Sequence, residues 1–262
     1  MYHILLDMLS TAEARPKRLK DARAAMYTEL ILETATIVFA REGYEATKVQ
    51  QIAKESGISL GTLYEVFPGK VEIWRAIHER HLDALFQATL AEMSRASTAE
   101  FVDHLLIGLE AYLGYLVAHP DYLRLHLMDG SAWALGTGLR SNVQLAAWER
   151  GKSLVTDLLA RGVEEGALAE EDPELLAQIM IGMHQVRLAH WMKGGMKTPP
   201  AEVVARIQAH TIRAFFDPAL IKKTLMHLER RRTSSQATPR GTTAHAPQPM
   251  ARTAGSRARR RS

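Results

Sequence analysis

The sequence predicts an all-α fold, and three observations predict it. Apolar residues recur at helical spacing in blocks that end at glycine or proline. No apolar–polar alternation of period two persists beyond a few residues, and no Asn-Gly or Asp-Gly pair separates two β-branched runs. No internal repeat suggests a solenoid. The chain has 262 residues, 47% hydrophobic and 24% charged, enough to close a sizeable core. It contains no cysteine, which excludes disulfides, thiolate metal sites and a cysteine nucleophile.

The elements follow in order. Residues 1–24 form an arm, expected to be partly disordered. Met1–Leu9 lacks the basic start and small-residue cleavage site of a secretory signal. The first helix spans about Ala24 to Glu42. Leu30, Ile31, Ala35, Val38 and Phe39 share a face, and Gly43 supplies a left-handed stop. The second covers Lys48–Ser56, with Thr47 as N-cap and Gln50 at capping-box spacing. Ser59 caps a third short helix ending near Phe67. Ala53–Ser59 is a tight turn in which Gly57 provides positive φ, the signature of a helix-turn-helix over residues 48–67. Pro68-Gly69 then breaks the chain, and a long helix runs from Lys70 to about Arg95.

Ser97 and Glu100 form a capping box for a helix over Thr98–Ala118, and Pro120 starts a short one to Met128. A loop near residues 130–140 precedes a helix over Asn142–Glu165. Asp172-Pro173-Glu174 opens a helix to Lys193, Pro199-Pro200 one to Phe216, and Asp217-Pro218 a last one to about Arg231. No apolar run reaches the roughly 18 residues that span a bilayer.

The formal net charge is +4, and its distribution matters more than its sign. Residues 1–80 are neutral, residues 81–228 carry −4, and residues 229–262 carry +8. This basic tail is rich in Arg, Ser, Thr, Pro and Gly and is expected to be disordered. It could act as a loose phosphate-binding arm or simply as a solubilising extension. DNA binding by the folded part must therefore be argued from local placement.

Enzyme motifs are missing. His78-Glu79-Arg80-His81 sets its histidines three apart rather than four, the wrong spacing for a shared zinc. There is no nucleophile elbow, no phosphate-loop lysine motif and no dinucleotide fingerprint after a strand. Neither a metal nor a cofactor is expected.

Ile31-Leu32, Ala35, Phe39, Gly43-Tyr44, Thr47-Lys48-Val49, Ile52-Ala53, Gly57-Ile58-Ser59, Gly61-Thr62-Leu63-Tyr64, Phe67 and Lys70 form one gap-free pattern. From about Ala25 to Leu85 it resembles the DNA-binding domain of the TetR-type family of bacterial transcriptional regulators. The resemblance implies an N-terminal three-helix helix-turn-helix domain at 25–85 and a helical effector-binding and dimerisation domain at 86–228. A helix-turn-helix reads the major groove with the N-terminal end of its second helix, here Ser59, Leu60, Gly61 and Thr62. Thr47 and Lys48, at the start of the preceding helix, are placed for phosphate. The resemblance adds phosphate contacts from Tyr64 and Lys70.

It also implies a homodimer through the helices near 173–193 and 200–216, and an unknown small-molecule effector. Tyr112, Tyr115, His126, Met128, Trp133, Trp148, Met180 and His184 combine apolar bulk with a few polar tips and are the pocket candidates. The expected protein is a repressor in the bacterial cytoplasm. It binds a near-palindromic, double-stranded operator and is released by its effector. The alternative is a helical small-molecule-binding or scaffold protein without specific DNA binding.

Overall fold

The computed structural model describes residues 2–96, 99–128 and 142–237, with side chains over 19–96, 99–128 and 149–234. Trp133, the side chain of Trp148, the 130–140 loop and the end of the basic tail lie outside the described residues. Ten helices fill the described part: α1 (Tyr2–Glu42), α2 (Val49–Glu55), α3 (Leu60–Val66), α4 (Lys70–Arg95), α5 (Phe101–Ala118), α6 (Pro120–Met128), α7 (Asn142–Glu164), α8 (Pro173–Lys193), α9 (Pro200–Phe215) and α10 (Pro218–Ala237). The only extended pairing among the described residues is a bridge between Leu168 and Phe216, which ties the α7–α8 turn to the end of α9.

Boundaries read from capping chemistry agree closely for α4, α6 and α8. At α8, the Asp172 carboxylate accepts the Glu174 N–H at 3.1 Å with Pro173 in the first turn. Three helices differ. Helix α1 begins at Tyr2, well before Ala24, because residues 2–23 are rich in good helix formers without a strong apolar period. Helix α10 continues to Ala237, past the expected stop near Arg231. Helix α5 begins at Phe101 with Glu100 as its N-cap residue, and no side-chain cap bond forms there.

Helices α1–α4 enclose the first core. Ile31, Phe39, Ile52, Leu63, Ile73 and Ile77 are fully buried. Trp74 sets its edge against Phe39 at 5.2 Å and Tyr44 at 5.0 Å between ring centroids. Helix α4 extends beyond this core to pack on α5 and α7, while α6 packs on α1.

The second core is built around α5, which contacts α4, α6, α7 and α9. With a mean hydropathy of 1.4 over its 18 residues, α5 is long and apolar enough to cross a membrane by length and composition. This revises the expectation that no apolar run reaches that length, since Asp103 and Glu110 are the only Asp, Glu, Lys or Arg in the helix. Asp103 accepts hydrogen bonds from His227 and Arg231, both at 2.7 Å, pinning α10 to α5. Burial pushes its carboxyl up, but those two bonds outweigh burial and hold it below the usual carboxylate range.

Candidate nucleic-acid interface and internal cavity

The turn between α2 and α3 fixes the angle of the second helix. Gly57 has φ 69°. Its N–H donates to Lys54 O at 3.2 Å, and the Ile58 N–H donates to Ala53 O at 3.1 Å. This 5→2 and 6→1 pair is a Schellman termination. Ser59 then stands extended and its Oγ accepts the Thr62 N–H at 3.0 Å, capping α3. The Ser59 and Thr62 hydroxyls lie 2.8 Å apart.

Leu63 anchors α3 in the core with Val66 packed beside it, so the opposite face points outward. Leu60, Gly61, Tyr64 and Glu65 are exposed, Tyr64 at 46%. A Cβ added to Gly61 would meet only Ser59 Oγ, at an ordinary 3.7 Å. The fold itself therefore gives no reason for a glycine there. Glu65, an acid on this surface, lies within electrostatic reach of Arg23 on α1, whose guanidinium donates to the Tyr27 hydroxyl at 3.1 Å.

Two expected phosphate contacts are revised. Thr47 does not cap α2: it is only 2% exposed and its hydroxyl donates to Gly43 O at 2.7 Å. Its side chain turns inward to satisfy the Gly43 carbonyl in the turn that follows α1. Lys48 is the N-cap residue, exposed and without a side-chain cap bond, and remains available. The Lys70 ammonium donates to Tyr44 O at 2.8 Å and Glu45 O at 3.3 Å, and lies 4.4 Å from the Tyr44 ring centroid. Two of its three donors thus hold the α1–α2 connection, making Lys70 chiefly a brace. Arg41 braces the other side with a bidentate contact to Glu55, at 2.6 and 3.2 Å.

In the C-terminal half, α4–α8 surround a cavity of about 130 Å³. Of the pocket candidates, Tyr112, His126, Met180 and His184 line it. Tyr115 and Met128 do not. The Tyr115 hydroxyl pairs with His81 Nδ1 at 2.8 Å, and its ring stacks on His119. Met128 ends α6 with half its surface exposed and its methyl close to Gly43. The missing wall comes from α4 and α7, including Leu82, Phe86, Leu154 and Leu158. In sequence these aliphatics look like any core stripe, so nothing marks them as pocket residues.

Among the described residues, no Lys, Arg, Asp or Glu lines the cavity. His184 is buried and bonds Thr211 Oγ1 through Nε2 at 3.0 Å. Burial lowers its pKa to about 4, with Arg187 and His210 adding to the effect, so the ring is neutral near pH 7. Burial alone pushes the Tyr112 phenol up to about 12. Between α4 and α6, Tyr122 stacks on His81 at 4.0 Å, and burial lowers the pKa of His81 to about 3. Among the described residues no three His, Cys, Asp or Glu gather as metal ligands. On α8, Leu175, Ile179 and Val186 form an exposed apolar stripe, Val186 at 70%.

Comparison with known proteins agrees with this arrangement. Residues 31–77 match the family described as bacterial regulatory proteins, tetR family. The chain is 28% identical over 172 residues to the HTH-type transcriptional regulator YhgD of Bacillus subtilis, covering 63% of this chain and 84% of YhgD. Its fold is similar to that of the ketosteroid transcriptional regulator KstR2 of Mycobacterium tuberculosis. That similarity has a TM-score of 0.62 at 23% identity and covers 73% of this chain and 95% of that one. It is also similar to AibR, solved with isovaleryl coenzyme A and operator DNA. There the TM-score is 0.58 at 19% identity, over 70% of this chain and 96% of AibR. Residues 31–77 thus carry a DNA-binding domain of the kind described as bacterial regulatory proteins, tetR family, and the chain is a DNA-binding regulator of transcription rather than an enzyme.

Proposed function

We propose that the protein is a homodimeric repressor that binds a near-palindromic operator in the bacterial cytoplasm, on the nucleoid, and leaves it when a small molecule enters the cavity. The observation that carries the DNA reading is α3: anchored by Leu63, tipped by Ser59 and Thr62, and open at Gly61. Side-chain hydroxyls can meet base edges, the Thr methyl suits a thymine methyl, and an absent Cβ permits close approach. Tyr64 and Lys48 would contact phosphates and set orientation. The stripe on α8, with α9 beside it, supports dimerisation by burial of an otherwise exposed apolar face. A two-fold dimer would present two α3 helices to two half-sites.

Release requires an effector that distinguishes the DNA-binding arrangement from another. A contact route exists for it. His126 lines the cavity and lies 5.8 Å from Tyr122 between ring centroids. Tyr122 meets His78, His78 meets Trp74, and Trp74 meets Tyr44, the residue that Lys70 braces. Each tenfold loss of DNA affinity needs about 1.4 kcal/mol of coupling. The test is a gel shift of the full chain on DNA from its own promoter at stated salt. A discrete shift that excess random duplex does not remove is expected. Equal competition by random duplex would favour the scaffold alternative.

A further inference from the structure

We infer that the cavity takes an uncharged lipophilic molecule with a single hydroxyl or carbonyl head, recognised at Tyr112 and His184. The inference rests on reading the C-terminal domain as the effector-binding part and specifies the chemistry of its ligand. The wall is almost wholly aliphatic and aromatic, with no Lys, Arg, Asp or Glu among the described lining residues. A charged head would lose its water there without gaining a counter-ion, and buried charge is strongly unfavourable when unpaired. Arg187, one turn further along α8, acts electrostatically on His184 but lies outside the wall and contacts His210 at 3.3 Å.

The few polar groups on the wall differ in availability. The Thr89 hydroxyl donates to Leu85 O at 2.8 Å. The single Thr211 hydroxyl proton goes to Ile207 O at 3.0 Å, so the bond between Thr211 and His184 must be donated by His184 Nε2–H. That tautomer leaves His184 Nδ1 as an acceptor. The Tyr112 hydroxyl makes no hydrogen bond to a described residue, and its ring centroid lies 6.5 Å from that of His184. Together the two rings offer one donor and one acceptor on a wall whose other polar side chains, among the described residues, are Thr89 and His126. A hydroxyl satisfies both, and a carbonyl satisfies the donor. A quaternary ammonium group, with neither an N–H nor a lone pair, satisfies neither.

The test is calorimetric titration of the full chain with 1-octanol, octanoate and octylammonium, which share a chain and differ in head charge. Octanol is expected to bind one site per subunit, and each ion at least about tenfold more weakly. Tyr112→Phe should weaken octanol about fivefold or more while leaving the purely apolar probe toluene unaffected. Octanoate or octylammonium binding as tightly as octanol, or no octanol binding, would overturn the inference. This head-group comparison uses the unmodified chain, so it decides even if Tyr112→Phe misfolds. Octanol binding with the expected selectivity but no change in operator affinity would overturn the release mechanism and leave the cavity's chemistry standing.

Discussion

At the scale of single residues, Gly61 separates folding from function. An exposed helical glycine is about 1 kcal/mol less favourable than alanine, and nothing in the fold needs it. Gly61→Ala should therefore raise the thermal midpoint while weakening operator binding. A variant that is more stable and binds normally would show that α3 does not approach DNA closely at this point. The two lysines differ in the same way. Lys48→Ala should reduce the slope of log affinity against log salt by about one and leave stability unchanged. Lys70→Ala should lower the thermal midpoint, because the Tyr44 and Glu45 carbonyls lose their donor. The outward tip of α3 was legible in sequence because a cap, a glycine and an anchoring leucine fix its phase. The roles of Thr47 and Lys70 were not. Both depend on where the carbonyls of the α1–α2 connection fall, which is a tertiary fact.

His184 belongs to the same scale and adds a pH dependence. Its pKa is about 4 in the fold against an ordinary 6.5. The unfolded chain therefore takes up a proton below pH 6.5 that the folded chain refuses until about pH 4. Its contribution is complete above the upper value and is lost as pH falls towards the lower one, at up to about 1.4 kcal/mol per pH unit. Urea midpoints across this window should fall with pH, and His184→Gln should flatten the trend. An equally steep trend in the variant would assign it to other groups, of which His81 has the same sign.

At the scale of elements, the helix-turn-helix depends on the backbone at Gly57. A Cβ there would meet nothing within 4 Å, so any effect of Gly57→Ala comes from its φ of 69° alone. The substitution should cost on the order of 1–2 kcal/mol. Gly57→Asn should recover part of that, since asparagine tolerates the left-handed region. Equal destabilisation by both would point to some other cause. Helix limits set by Pro, Asp or Gly were readable because the chemistry that stops a helix is local. The start of α1 and the end of α10 were not. There the chain has helix-forming residues without an apolar period, so only intrinsic propensity argues for a helix.

At the scale of the whole molecule, two cores share α4, and α6 lies between the cavity and α1. The DNA-reading half was legible because its residues serve one compact, gap-free pattern. The cavity was legible only through Tyr112, His126, Met180 and His184, since a void among aliphatic helices depends on how several helices meet. The central claim is that two outward α3 helices, one per subunit, read two half-sites of duplex DNA. Its most direct test is selection of binding sequences from a random duplex library by the full chain. Enrichment of a near-palindrome with half-sites about one helical turn apart, lost when Thr62 and Tyr64 are both changed to Ala, is the predicted result. Retention of all sequences alike, or enrichment unaffected by those two changes, would contradict it.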